Sequence, residues 1–289
     1  MDSKCLLAML LWCVLLQLKP TVEAQKLELI YHNGTLLKGS FTVNILWYGN
    51  FTQIQRSIIV DFVNSLNSAT WSQAPSVKSW WKTTEEYKGG STTLSVGKQI
   101  MEPYSLGKHI NEKQLYGLAS RFKDVRAINL VLTAKDVAVD SFCSGRCGTH
   151  NSIDGKIPYV WVGNSETQCP GQCAWPFHKP IFGPQTPPLV APNGDVGVDG
   201  MIINIATLLA GTVTNPFNGG YYQGPPTLPL EAVSACAGIF GRGAFPGYPG
   251  KVLVDRATGA SYNAQGRNDR KFLLPAMWDP ATFQCKPLV

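Results

Sequence analysis

The sequence predicts a layered α/β (α+β) fold in a single domain, with a mixed sheet, one central buried helix, and long loops tied by disulfides. Three observations lead to this prediction. Strand patterns alternate with helix patterns through the first half of the chain, and an apolar segment at 200–213 is long enough for a core helix. Beyond residue 163, glycine and proline crowd 170–192 and 216–249, which predicts ordered loops.

The first 24 residues predict a secretory signal peptide. Lys4 precedes a 14-residue apolar run from Cys5 to Leu18, and Val22-Glu-Ala24 provides a cleavage site. A helix of that length reaches only about 21 Å, short of a hydrocarbon core of about 30 Å, so a membrane anchor is disfavoured. We therefore predict a secreted, extracellular protein, comprising one domain at 25–289, that does not insert into a membrane.

The following elements are predicted from their apolar periodicity. Alternation indicates a half-buried strand, steps of three and four indicate a helix, and a continuous apolar run indicates a strand buried on both faces. In chain order they are a strand at 41–47, helices at 54–66, 77–87 and 112–122, a buried strand at 127–133, its extension or neighbour at 137–139, and a strand at 157–162.

The central helix is predicted over 200–213. Asp199 is its expected N-cap, and Asn215-Pro216 ends it. Apolar residues occupy almost every side of this segment, which is typical of a helix buried at the centre of a fold.

The net charge of +6 is mild and without the clustered basic stripe of a nucleic-acid-binding protein. Nucleic acid is therefore not expected as a partner. Adhesion to a polyanionic polysaccharide and ordinary solubility both fit this charge.

Removal of the signal peptide discards Cys5 and Cys13 and leaves six of the eight cysteines. In an oxidising compartment these predict three disulfides among Cys143, Cys147, Cys169, Cys173, Cys236 and Cys285. The spacings Cys143-x3-Cys147 and Cys169-x3-Cys173, with His150 and His178 nearby, also allow a zinc site, which secretion disfavours. Fifteen connectivities remain open, although Cys236 and Cys285 are expected to pin the C-terminal tail.

Several surface sites are predicted. Asn33 and Asn50 begin glycosylation sequons. Most tryptophans are expected in the core, but Trp175 and the pair Tyr221-Tyr222 fall in loops, where exposed rings would stack on a sugar. They are the candidate ligand-binding residues.

No complete catalytic motif is present. The chain has no H-E-x-x-H, G-x-S-x-G, P-loop or dinucleotide fingerprint, so neither catalytic residues nor a cofactor are predicted. Four carboxylates in the loop-rich half allow a glycosidase pair as the alternative, although caps and turns explain them more simply: Glu166, Asp195, Asp199 and Glu231. The segment 193–200 resembles a calcium loop but lacks its later bidentate glutamate.

Several strings occur in order along 28–289 and together resemble the plant EXORDIUM family, also called phosphate-induced protein 1. They are Leu46-Trp-Tyr-Gly49, Ser79-Trp-Trp-Lys-Thr-Thr84, Leu132-Thr-Ala-Lys-Asp-Val137, Cys147-Gly-Thr-His150, Cys169-Pro-Gly-Gln-Cys-Ala-Trp-Pro-Phe177, Gly183-Pro-Gln-Thr-Pro-Pro188, Pro192-Asn-Gly-Asp195 and Leu274-Pro-Ala-Met-Trp-Asp-Pro280. The resemblance implies a secreted protein of the cell wall and apoplast, linked to growth and brassinosteroid response. It implies no catalytic residues.

A weaker likeness concerns secreted zinc peptidases, whose active-site helix precedes a Thr-Asp-Pro turn. Here Val213-Thr-Asn-Pro216 ends a comparable helix, and the metal-ligand and base positions fall on Thr207, Leu208 and Gly211. None of these can bind zinc. A zincin-like fold without its metal is therefore one hypothesis; an unrelated buried helix is the other.

These observations predict a growth regulator that acts by binding a wall polysaccharide, a receptor or another secreted protein, without catalysis. A secreted hydrolase of wall glycans is the alternative. A structural wall protein ranks third, since the chain lacks repetitive sequence.

Overall fold

The computed structural model describes residues 26–68, 75–184 and 186–289. The predicted signal peptide at 1–24 lies outside the described residues and stays a prediction. The strands are β1 (Ile30–Tyr31), β2 (Gly39–Tyr48), β3 (Thr92–Glu102), β4 (His109–Ile110), β5 (Ala127–Thr133), β6 (Ala138–Val139), β7 (Gly148–Ile153), β8 (Ile157–Gly163), β9 (Tyr221–Tyr222), β10 (Leu253–Val254), β11 (Ser261–Tyr262), β12 (Ala264–Gln265), β13 (Lys271–Phe272), β14 (Met277–Asp279) and β15 (Gln284–Lys286). The α-helices are α1 (Gln53–Ser65), α2 (Val77–Trp81), α3 (Glu112–Ala119), α4 (Pro170–Cys173) and α5 (Val196–Thr214), and 3-10 helices cover Lys82–Glu86, Ser234–Cys236 and Arg267–Asp269.

Five strands form the central sheet in the order β3-β2-β5-β8-β7. The pairs β3-β2, β2-β5 and β5-β8 are parallel, whereas β7 is antiparallel to β8. Every residue of β5 is buried, as expected for a parallel strand covered on both faces. The predicted mixed sheet is therefore confirmed, and β7 forms one of its two edges.

Helices cover both faces of this sheet. On one face α1 contacts α5, and α5 lies over β7 and β8. On the other face α3 packs on β5, where the Asn129 amide donates to the carbonyls of Ala119 and Phe122 at 3.0 and 3.1 Å. The sheet therefore lies between two helical layers, as predicted for an α/β arrangement.

The start of α5 differs from the prediction. Asp195 is the N-cap, because its carboxylate accepts from the Val198 N–H at 2.9 Å, and the helix begins at Val196. The predicted cap, Asp199, lies in the first turn, where it is 2% exposed. Its oxygens accept from the backbone N–H and side-chain amide of Asn193 at 2.8 and 2.6 Å. Burial raises the pKa of Asp199 to about 7.

The rest of α5 follows the prediction of a buried central helix. Among the described residues, α5 is the one helix long and apolar enough to cross a membrane, and 78% of that stretch is buried inside the protein. The helix ends at Thr214, and Asn215 forms its C-cap before Pro216. Burial on nearly every side explains why its sequence lacks a polar face.

The other helices depart from their predicted ends by a few residues. α1 begins one residue early, behind a capping box in which Thr52 and Gln55 bond to each other's backbone. The helix predicted over 77–87 is instead α2 followed by the 3-10 helix at Lys82–Glu86. α3 ends at Ala119 rather than 122.

Two sheet strands, β3 and β7, were not predicted. Both are edge strands with many exposed or half-buried polar residues, so neither has the apolar pattern of a core strand. The segment predicted at 137–139 forms β6, which pairs with β4 and not with the central sheet.

Three disulfides are present, as predicted. Cys143 bonds to Cys169 and Cys147 to Cys173, so both bridges join the segment before β7 to the segment around α4. The bonded sulfurs leave no thiolates for the alternative zinc site. The bridge Cys236–Cys285 fastens the C-terminal tail, as expected.

Buried polar side chains hold the loop-rich C-terminal part. The Asn263 amide donates to two backbone carbonyls and accepts from the Leu274 N–H at 2.8 Å. The Tyr87 hydroxyl donates to the Trp278 carbonyl at 2.6 Å. Burial, with a smaller effect from the Asp279 carboxylate, raises the pKa of Tyr87 well above its ordinary value. These bonds explain how long loops stay ordered without regular structure.

Candidate ligand-binding cleft

A cleft of about 640 Å³ opens beside β7. We call it the β7 cleft and define it by six of its lining residues: Gly148, Thr149, His150, Thr207, Leu208 and Leu228. One wall is the edge strand and the other combines α5 with the loop at 226–231. The volume falls in the range of small-ligand sites.

A buried histidine–glutamate pair forms part of the cleft wall. His150 Nε2 lies 2.7 Å from Glu231 Oε2, and each side chain is only 9% exposed. The second oxygen, Glu231 Oε1, accepts from the Asn215 side-chain amide at 2.7 Å. The Glu231 carboxylate, which belongs to the loop after β9, therefore bonds to one side chain from β7 and one from the end of α5.

A glycine in α5 permits this convergence. A Cβ on Gly211 would lie 2.6 Å from Glu231 Oε2 and 3.3 Å from His150 Nε2. The first distance is too short for any side chain. Gly211 therefore provides the space in which the carboxylate meets the imidazole.

The other imidazole nitrogen, His150 Nδ1, is buried and has no hydrogen-bond partner among the described residues. An ionised carboxylate only accepts hydrogen bonds, so Nε2 donates to Glu231, and in the neutral ring Nδ1 is an acceptor. An unsatisfied buried polar atom costs about 1–3 kcal/mol and requires an explanation. The residue that carries this atom also lines the cleft.

The predicted sugar-stacking residues lie elsewhere. Tyr221 and Tyr222 form β9 and are only 8% and 7% exposed, stacked on Tyr31 and His32. Trp175 is half-buried, with its ring 5.8 Å from that of Phe240. The expected exposure of the tyrosines is wrong, because pairing with β1 turns their rings inward. None of the three lines the β7 cleft.

The positions compared with a zinc-peptidase helix do face this site. Thr207 and Leu208 line the cleft, and Gly211 adjoins the His150–Glu231 pair. The Thr207 hydroxyl donates to the Ile203 carbonyl at 2.8 Å. Within the described ranges no group of three or more His, Cys, Asp or Glu residues is placed to hold a metal.

The four candidate carboxylates are separated along α5. Glu166 approaches Gly197 near the start of the helix, and Asp195 and Asp199 belong to the same end. Glu231 lies at Gly211, about 21 Å away at 1.5 Å per residue. A glycosidase pair requires a separation of about 5–10 Å, so Glu231 cannot form one with any of the other three.

Both sequons are accessible. Asn33 and Asn50 are exposed, as an acceptor for a glycan must be. Their glycosylation stays a prediction.

Sequence reasoning missed the His150–Glu231 pair. The string Cys147-Gly-Thr-His150 carries part of the family resemblance, but its composition does not predict the antiparallel strand that places His150 against α5. The partners are 81 residues apart, and no local pattern reports such a distance. The sequence offers one indication of this site, a histidine in a mostly polar segment for which neither a helix nor a strand is predicted.

Comparisons with known proteins cover nearly the whole chain. The family profile described as "Phosphate-induced protein 1 conserved region" matches residues 29–288. The chain is 66% identical to Protein EXORDIUM-like 2 of Arabidopsis thaliana over 281 residues, which cover 93% of this chain and 92% of that protein. Identity to Protein PHOSPHATE-INDUCED 1 of Nicotiana tabacum is 58% (92% and 90% covered), and to Protein EXORDIUM of Arabidopsis thaliana 55% (92% and 91% covered). No solved structure matches, so the zincin-like hypothesis stays a prediction.

Proposed function

We propose that this chain, which belongs to the plant phosphate-induced protein 1 (EXORDIUM) family, is a secreted protein of the cell wall and apoplast. It promotes growth by binding a ligand in the β7 cleft. The brassinosteroid link is carried over from the family resemblance. The predicted signal peptide, the three disulfides and the exposed sequons support an extracellular location.

The observation that carries the binding proposal is the buried His150–Glu231 pair in the cleft wall. Burying an ionisable pair is unfavourable unless its hydrogen bonds are satisfied, and His150 Nδ1 has none among the described residues. An ionisable pair that is buried in the wall of an open cleft despite this unfavourable free energy is typical of a ligand-binding site. The ligand classes are a wall polysaccharide, a receptor or another secreted protein.

The test is a binding assay with the secreted protein. Titration calorimetry would measure affinity for neutral and acidic wall polysaccharides and for peptide libraries. Glu231→Gln is expected to weaken binding by about tenfold or more, because the amide keeps only one acceptor oxygen for two donors, His150 and Asn215. Glu166→Gln is the matched control, since Glu166 is a carboxylate at the far end of α5 that pairs with Lys135 at 3.2 Å.

Circular dichroism and thermal melting would establish that both variants fold. Equal affinity of the two variants would place the ligand outside the cleft. If no member of either panel binds the unmodified protein, the binding proposal fails.

Hydrolysis of a wall glycan is a second candidate, favoured by the orientation of the His150 ring by a carboxylate. A ring fixed in this way is a suitable general base. Reducing-sugar release from wall polysaccharides would be measured for the unmodified protein and for Glu231→Gln. Turnover that disappears in a folded Glu231→Gln variant would replace the binding proposal with an enzymatic one.

A further inference from the structure

The outer edge of β7 carries backbone groups that do not pair with β8. In an antiparallel pair, hydrogen-bonded and non-hydrogen-bonded positions alternate. The Gly163 N–H donates to the Cys147 carbonyl, so Thr149 and Asn151 also bond to β8. The alternate positions, which direct their N–H and C=O groups away from β8, are Gly148, His150 and Ser152.

The partner strand supports this assignment. Pro158 lies opposite Ser152 and has no N–H to donate. A proline is acceptable there only because that pair does not exchange hydrogen bonds. Ser152 uses its outward N–H on the Asn151 side chain at 2.7 Å, and the His150 carbonyl accepts from the Thr149 hydroxyl at 3.3 Å. No described residue accepts from the His150 N–H.

The open edge runs along the β7 cleft. The cleft is lined by β7 from Gly148 to Asn151, and α5 and the 226–229 loop face it. Outward residues on a strand recur about every 6.8 Å, so Gly148 to Ser152 span about 14 Å. Another extended polypeptide has donors and acceptors at the same spacing, and a segment of about five residues matches this length.

The charge of the residues that line the cleft indicates whether an acidic, a neutral or a basic ligand fits there. The acidic residues in its lining are Glu112, Asp140 and Glu231, against one arginine, Arg146, which pairs with Glu112 at 3.0 Å. The whole chain has a net charge of +6. The cleft is thus locally acidic on a basic protein, which disfavours a polyanionic polysaccharide at this site and favours a neutral or basic ligand.

Apolar contacts are also available at the rim. Leu228 is 78% exposed, and Leu208 of α5 belongs to the same wall of the cleft, facing the edge strand. Side chains of a bound strand alternate between two directions, so every second one would reach these leucines. Backbone pairing with pockets for alternate side chains is a recurring mode of peptide recognition.

We propose that the β7 cleft binds an extended, neutral or basic segment of another polypeptide as an added strand on β7. This inference rests on the proposed binding function and names its ligand class. It assigns to the His150 N–H the role of donor to the ligand backbone.

The experiment selects a probe from a library of random linear nonapeptides displayed against the secreted protein. The selected peptide is resynthesised with one backbone N-methyl group at each position in turn. Methylation removes one donor, so affinity is expected to fall by about tenfold at alternate positions along the paired segment and to change little between them. A uniform effect, or one without period two, would overturn strand addition.

Amide hydrogen exchange provides an independent reading on the protein. Exchange of the His150 amide is expected to slow on addition of the peptide. The Thr149 amide already bonds to β8 and is the internal control. An unchanged His150 rate at saturating peptide would contradict pairing at this edge.

Charge is tested with a matched pair of variants. Glu112→Lys, in the cleft, is expected to weaken binding of a basic peptide by about tenfold. Glu86→Lys, an exposed glutamate outside the cleft, is expected to change it little. Equal effects would overturn the acidic-cleft argument.

An oligosaccharide arm separates this inference from the proposed function. If neutral oligosaccharides bind in a manner lost in Glu231→Gln while no peptide binds, strand addition is wrong and the binding function stands. If neither class binds, both fail.

Discussion

Substituting Gly211 with alanine tests whether this glycine makes room for the buried pair. The added Cβ would lie 2.6 Å from Glu231 Oε2, about 0.8 Å inside an ordinary contact. Glu231 cannot easily move, because its two oxygens bond to His150 and Asn215. The carboxylate must therefore break at least one of these bonds.

The magnitude follows from two opposing effects. Alanine in place of glycine stabilises a helix interior by about 1 kcal/mol. Breaking a buried hydrogen bond to a carboxylate, with both groups left buried, destabilises by about 3–5 kcal/mol. The free energy of unfolding should therefore fall by about 2–4 kcal/mol in Gly211→Ala.

Gly117→Ala is the control. Gly117 is also helical, in α3, but a Cβ there meets no atom within 4 Å. Its substitution should leave stability unchanged or raise it by up to about 1 kcal/mol. Both variants would be unfolded in urea and followed by tryptophan fluorescence.

A double-mutant cycle with Glu231→Ala completes the assay. Once the carboxylate is removed, Gly211→Ala should no longer destabilise, because the added methyl group has lost the atom that it contacts most closely. An equal loss of stability in both backgrounds would refute the steric reasoning.

Three further predictions concern the fold and its surface. The pKa of Asp199 in the folded protein, about 7, lies above the ordinary value, so this carboxyl group stabilises the fold fully below about pH 4. As the pH rises towards 7, the free energy of unfolding should fall by about 4 kcal/mol. Urea titrations of Asp199→Asn should lack that decline. Cys285→Ser should lower the free energy of unfolding by about 2–5 kcal/mol and reduce secretion, and an equal result for Cys236→Ser would identify the shared bridge. Glycosidase treatment should reduce the mass of the secreted protein, and Asn33→Gln with Asn50→Gln should abolish that change; an unaltered mass would exclude both sequons.

Much of the fold was predictable because its pattern is local. The apolar run at 127–133 coincides with β5, and the helical stripe at 54–66 differs from α1 by one residue at each end. Both patterns depend on burial of a whole segment or of one face, which the sequence records directly. The start of α5 was misplaced because Asp195 and Asp199 are equally suitable caps by type.

The candidate site was not predictable in the same way. β3 and β7 are sheet edges, where side chains face solvent or a cleft and the apolar period disappears. Tyr221 and Tyr222 were expected to be exposed because their segment is rich in glycine, yet pairing with β1 buries them. The burial of a residue in an edge strand or a loop depends on which distant segment packs against it. Amino-acid composition does not identify that segment.

The sequence by itself determined the apolar segments that must be buried, the even number of cysteines left after the predicted cleavage, and the family to which the chain belongs. Only the tertiary structure decided which cysteines bond, which strand lies at the edge of the sheet, and that His150 meets Glu231 across Gly211. The physical reason is that burial is encoded residue by residue, whereas a contact between segments 81 residues apart depends on the packing of the whole core.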